Sequence, residues 1–249
     1  MKLLELNGTA FGPLSASALL YGKIIDGEDS SKPVPAEIPR PSLETLYVRN
    51  TKCDGIWMQR FLCLYSNLRM FAGTFMTDRD LVADPRPWAC LNLLHLCLDV
   101  RLEVYDGLEP ELLEVDDDMT LFVNPTSIFL DRIATLSRLE ELMLSQKKVV
   151  NDDFHTLELR WDLPGVNALE SLTRLMTVYW SEVEYEDAEY IEDSWPCLTT
   201  VTTRSIDDDT RDYLHENGIK VEEAEESASD EPNPIADIFN AILGNPMDL

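Results

Sequence analysis

The sequence predicts a repetitive α/β protein, in which short parallel strands lie side by side in a curved sheet and helices line its outer face. Three observations carry that expectation. Seven times along the chain, an apolar position is followed by a second three residues on and a third two residues after that. Three of the steps between recurrences are 23 to 25 residues and others are longer (46 from Leu93 to Leu139, 36 from Leu139 to Leu175), and the stretches between them carry apolar residues at helical spacing. Alternate residues of a strand point to one face, so each triplet supplies the inward side chains of one strand. Each strand–helix unit must then bury its apolar face against its neighbours.

The triplets are Met1/Leu4/Leu6, Leu43/Leu46/Val48, Leu68/Phe71/Gly73, Leu93/Leu96/Leu98, Leu139/Leu142/Leu144, Leu175/Val178/Trp180 and Leu198/Val201/Thr203, with Gly73 and Thr203 as imperfect members. The step is 25 residues from Leu43 to Leu68 and from Leu68 to Leu93, and 23 from Leu175 to Leu198. A period of roughly 20–29 residues with the pattern L-x-x-L-x-L belongs to leucine-rich repeats. The expected architecture is therefore an irregular leucine-rich-repeat solenoid over residues 1–221.

Taken in order, the first unit is joined to the rest by a loop at 27–42, rich in Ser and Pro. Asp54 is placed to cap a helix carrying Ile56, Trp57, Phe61, Leu62 and Leu64. The 46 residues from Leu93 to Leu139 hold an acidic stretch (Glu109 to Asp118), read as an insertion at about 105–128. Ile133 and Leu136 continue a helical pattern into the fifth unit, and Leu169 and Leu172 do so before the sixth. Alternation of Leu157, Leu159 and Trp161 predicts an additional strand. A helix from Asp187 to Ser194 stops at Trp195-Pro196, and one from Asp207 to Asn217 stops at Gly218 before the strand-like Ile219-Lys220-Val221. Residues 222–234 form an acidic linker with too little apolar content to fold. In the closing segment, 235–249, Ile235, Ile238, Phe239 and Ile242 share one helical face, suited to an end cap or to a groove on a partner.

The charge balance excludes some functions. With 47 acidic against 20 basic side chains, the net charge is −27, which repels phosphate backbones and anionic lipid. Nucleic acid and membrane are not expected as partners, whereas a protein surface rich in Lys and Arg is. Five cysteines without a C-x-x-C pair fit reduced thiols in the cytoplasm or nucleus. No phosphate-binding or zinc-protease motif is present. His95, His155 and His215 stand far apart, and His95 and Cys97 are simply neighbours on one strand face. No catalytic residue, cofactor site or metal site is expected, and the chain is read as a non-enzyme.

Function should then reside in the strand residues that face away from the core. In the expected register they form three rows on the concave sheet: Leu3, Thr45, Met70, His95, Glu141, Thr177, Thr200; Glu5, Tyr47, Ala72, Cys97, Met143, Tyr179, Thr202; and Asn7, Arg49, Thr74, Asp99, Ser145, Ser181, Arg204. Tyr, Met and Arg are enriched at protein interfaces, so Tyr47, Arg49, Met143, Tyr179 and Arg204 are the candidate partner-binding residues.

Two strings, Leu157-Glu-Leu-Arg-Trp…Leu163-Pro-Gly…Ala168 to Leu175 and Asp187 to Leu198 with its Trp195-Pro-Cys-Leu198, resemble the C-terminal repeats of fungal F-box-like leucine-rich-repeat proteins. Pro87-Trp88-Ala-Cys90…Leu93…Leu96…Leu98 looks like an earlier repeat of that group, and the likeness covers about residues 40 to 221. The resemblance implies a non-catalytic interaction module, similar to the substrate-recognition repeats of ubiquitin-ligase receptors. No F-box is visible ahead of the first strand, so a cullin-ligase adaptor is expected as a partner only if an F-box lies outside this chain. The alternative is a regulatory or decoy binding protein with no link to ubiquitin ligases.

Overall fold

A computed structural model describes residues 2–21, 42–103, 125–144 and 154–224. The chain opens with β1 (Leu3–Glu5), α1 (Pro13–Tyr21), β2 (Thr45–Tyr47), α2 (Gly55–Leu64), β3 (Met70–Thr77), α3 (Asp78–Ala83) and β4 (His95–Glu103). It continues with α4 (Pro125–Ala134), β5 (Glu141–Leu144), β6 (Phe154–Thr156), a 3-10 helix (Val166–Ser171) and β7 (Thr177–Tyr179). Last come β8 (Glu182–Val183), α5 (Tyr185–Ser194), β9 (Thr200–Thr203), β10 (Ser205–Ile206), α6 (Asp208–Glu216) and β11 (Lys220–Glu223).

The fold is α/β with a mostly parallel sheet. Its order, β1-β2-β3-β4-β5-β7-β9-β11, follows the chain, every neighbouring pair along it is parallel, and β6 lies antiparallel to β4. One backbone device recurs at the first six of the seven steps. The carbonyl just before a strand accepts from two successive N–H groups of the next unit: Lys2 from Glu44 and Thr45, Glu44 from Arg69 and Met70, Arg69 from Leu94 and His95. Leu94 does the same for Glu140 and Glu141, Glu140 for Met176 and Thr177, and Met176 for Thr199 and Thr200. At the last step, from β9 to β11, the Thr199 carbonyl accepts from the Lys220 N–H alone. The leading leucines are held equally uniformly, Leu68, Leu93, Leu139, Leu175 and Leu198 each donating to the carbonyl three residues back.

The triplets make the core. Leu46, Val48, Leu96, Leu98, Leu142, Leu144 and Val178 are buried in one apolar cluster with the inward faces of all six α-helices. Both imperfect members have reasons. A Cβ on Gly73 would lie within 3.0 Å of Leu98, Phe71 and the Met58 sulfur, so the packing leaves no room for one. Thr203 turns its hydroxyl to the Ser181 and Ser205 carbonyls at 3.1 and 3.0 Å. Trp195 is buried in edge-on contact with Trp180 and Tyr190 while its indole N–H donates to the Leu169 carbonyl at 3.0 Å. Gln59, fully buried, links the Trp88 indole to the Asp84 carbonyl, each at 2.7 Å.

Several expectations need correction. Asp54 sits at the N-cap of α2 in extended conformation but its side chain makes no capping bond. Residues 125–128 of the expected insertion are the start of α4, where proline at the first helical position has its φ already set. The additional strand is Phe154–Thr156, earlier than expected. Leu157 and Leu159 follow it, buried but outside any strand, and Trp161 is 46% exposed. The final strand runs two residues past Val221, with Glu222 and Glu223 paired to Thr202 and Thr203. Helix α1 and helix α3 with the small β8–β10 pair were not foreseen: α1 (PLSASALLY) is apolar on every side and shows no 3.6-residue period, and the others are too short to show one. The expected 27–42 loop, all but Ser42, most of the acidic insertion, the linker beyond Ala224 and the 235–249 segment lie outside the described residues.

Asp187 shows how a charge is used locally. Its buried carboxylate accepts from the Glu184 N–H at 3.1 Å, at the start of α5, and from the Trp161 N–H at 2.9 Å. Burial raises its pKa above the usual carboxylate value, and those two N–H bonds oppose the shift. Asp187→Ala strands both donors and is expected to cost about 1–3 kcal/mol, read as a lower urea midpoint. An unchanged midpoint would mean that water takes over both bonds.

Candidate functional site: the sheet face opposite the helices

The parallel register brings the expected rows together. Leu3, Thr45, Met70, His95, Glu141, Thr177 and Thr200 are successive partners, and Lys220 extends them. The middle row runs Glu5, Tyr47, Ala72, Cys97 and Met143, then resumes at Tyr179, Thr202 and Glu222. The third row is interrupted. A register shift between Ala72 and Phe75 puts Phe75, not Thr74, beside Asp99, and Thr74 donates instead to the Cys53 carbonyl at 3.2 Å. The glycine inside that strand was the available signal for a bulge. Two further residues join the face as a result, Phe75 and Arg101, whose guanidinium lies 4.2 Å from the Phe75 ring centre.

The five candidates differ in exposure. Tyr47, Met143 and Tyr179 are 8%, 3% and 3% exposed, and with Ala72 and Cys97 they form a second apolar cluster, separate from the main core. Arg49 and Arg204 are half-buried. Tyr47, Met143 and Tyr179 are thus packing residues as well as candidate contacts, and alanine at the tyrosines would remove packing together with any contact surface. Arg204 approaches Glu158 at 3.9 Å and lies over the Tyr179 ring at 5.8 Å. The Arg49 backbone N–H donates to the Asn7 side-chain carbonyl at 2.9 Å, just beyond the paired ends of β1 and β2.

Electrostatics on this face are tight. Burial, with Glu5 and Glu141 nearby, pushes the Tyr47 hydroxyl up to about 12. Burial also raises Tyr179, against the pull of Arg204. The Tyr179 hydroxyl oxygen is shielded from solvent, with Arg204 and Ser181 beside it. His95 Nδ1 lies 2.7 Å from Glu141 Oε2. Burial pushes the Cys97 thiol up to about 11.

Besides Glu5, Asp99, Glu141 and Glu222 on this face, acidic residues crowd the last two helices. Glu186, Glu189, Asp193, Asp208, Asp209, Asp212 and Glu216 are exposed on α5 and α6, helices whose buried residues Ala188, Ile191 and Leu214 belong to the main core. Among the described residues no group of three or more His, Cys, Asp or Glu side chains is placed to hold a metal, and no helix is long and apolar enough to cross a membrane. No family model matches the chain, and neither a curated protein nor a solved structure matches it significantly.

Proposed function

We propose that this chain is a non-catalytic protein-interaction module, built as a leucine-rich-repeat solenoid, whose partner meets the sheet face through Tyr47, Arg49, Met143, Tyr179 and Arg204. The observation that carries the reading is the strand order. Parallel strands in chain order set Tyr47, Met143 and Tyr179 in one row, with Arg49 and Arg204 beside its two ends. Aromatic, Met and Arg side chains of this kind dominate binding energy at interfaces. The repeated carbonyl device and the leading leucines support the solenoid. The acidic helices suit a partner rich in Lys and Arg, drawn in by long-range attraction before it docks. Four buried free thiols suit a reducing compartment, cytoplasm or nucleus.

The role as a substrate receptor of a ubiquitin ligase rests on the sequence resemblance, and a cullin-ligase adaptor enters only through an F-box outside this chain. A regulatory or decoy protein would use the same face without any adaptor. The test compares proteins captured by the native chain and by Arg49→Ala/Arg204→Ala, both positions being half-buried rather than core. A partner using this face should bind at least tenfold more weakly to the variant, since hot-spot contacts contribute about 2 kcal/mol or more each. Equal capture by a variant with native unfolding behaviour would remove the face from the proposal.

A further inference from the structure

The middle row poses a physical problem. All six α-helices and the 3-10 helix pack on the other side of the sheet, and among the described residues the apolar side chain packed against this row is Ala224. Yet Tyr47, Ala72, Cys97, Met143 and Tyr179 are all nearly buried. A row of this kind is completed by an apolar cover.

We infer that the chain's own C-terminal segment, Ile235 to Leu243, docks on the row Tyr47–Ala72–Cys97–Met143–Tyr179 and occupies it as a tethered ligand. Ala224 fixes where the chain leaves the sheet: it donates its N–H to the Thr203 carbonyl at 2.7 Å and packs on the row itself. The reach is sufficient. Tyr179 lies two strands from β11, about 10 Å, and the row spans four strand steps, about 19 Å. Residues 225–234 extend to roughly 33 Å. The pattern also fits, because Ile235, Ile238, Phe239 and Ile242 fall on one helical face about 11 Å long. Charge agrees as well: Glu225, Glu226, Asp230 and Glu231 of the linker would leave β11 toward Arg204, beside Tyr179. This deepens the proposed function and rests on the same face: the tail would hold the row until a partner displaces it.

Cys97 is the reporter, since it lies in the row, whereas Cys53, Cys63 and Cys90 lie in the main core and Cys197 is exposed. The test is alkylation of the full chain followed by peptide mass spectrometry. Ile238→Asp/Phe239→Asp should speed Cys97 modification at least tenfold and leave Cys53, Cys63 and Cys90 slow. Excess synthetic peptide of residues 232–244 should slow Cys97 again. The inference is overturned by an unchanged Cys97 rate, by acceleration of all four buried thiols together, or by failure of the peptide to protect. Protection that falls on dilution would assign the cover to a second copy and overturn it too. No partner enters this experiment. Loss of Cys97 protection by the tail variant with no Arg49/Arg204-dependent capture would keep the tail on the row and discard the partner, and the converse pair of results would do the reverse.

Discussion

Leu142→Ala is expected to destabilise the protein by about 2–5 kcal/mol, among the largest effects a single truncation can have here. Leu142 is fully buried on β5, and its backbone neighbours are Leu96 on one side and Val178 on the other. The cavity would open in the middle of the sheet, with the ladder fixed on both sides, so the neighbours cannot close it by rigid movement. Because every unit rests mainly on the units beside it, the loss should uncouple the strands before β5 from those after it. Urea unfolding followed by tryptophan fluorescence should show a lower midpoint and a broader transition, as Trp57 and Trp88 lie on one side and Trp180 and Trp195 on the other. A cost under about 1 kcal/mol, with an unchanged transition width, would mean that the sheet is not held by this leucine row. Thr202→Ala, half-buried on the opposite face, serves as the control and should change the midpoint little.

The difference between those two substitutions was legible in the sequence, because strand side chains alternate strictly and the triplets mark one phase of that alternation. Once Leu46, Phe71, Leu96, Leu142, Val178 and Val201 are assigned inward, the register and the residues opposite follow, and the structure places those rows side by side. What the phase does not reveal is a break in it. The extra residue between Ala72 and Phe75 exchanged Thr74 for Phe75, with Gly73 the one hint. Short elements were hidden for a related reason: α3 has six residues and its cap, Thr77 with Asp80, is a pair of reciprocal hydrogen bonds rather than a period. Burial of the candidate row was not legible either. Alternation says which way Tyr47 and Tyr179 point and nothing about what lies over them, and this is why the arginines, not the tyrosines, make the cleaner binding variants.

A steep loss of stability above about pH 9 should distinguish this chain from one whose thiols are exposed. Burial pushes Cys53, Cys63 and Cys90 up to about 12 and Cys97 up to about 11, from an ordinary 9.0. In the unfolded chain each thiol loses its proton near pH 9, whereas in the folded chain each keeps it until pH 11 or 12. Above pH 9 unfolding therefore releases protons, and rising pH favours the unfolded state. Each such group contributes a slope of up to about 1.4 kcal/mol per pH unit, so four thiols acting between pH 9 and 11 can exhaust an ordinary stability of about 5–15 kcal/mol. Tyr47, raised from 10.0 to about 12, adds to the loss above pH 10 in the same direction. Urea midpoints at pH 7.5, 9.0, 10.0 and 10.5 should stay level to pH 9 and then fall. Cys53→Ala/Cys63→Ala/Cys90→Ala should start lower at pH 7.5, from lost packing, yet decline less steeply. That contrast separates thiol ionisation from the general repulsion of a chain carrying 27 net negative charges, which the triple variant retains in full. Midpoints of native and variant falling in parallel would assign the loss to repulsion and would show the three core thiols to be wetter than their burial implies.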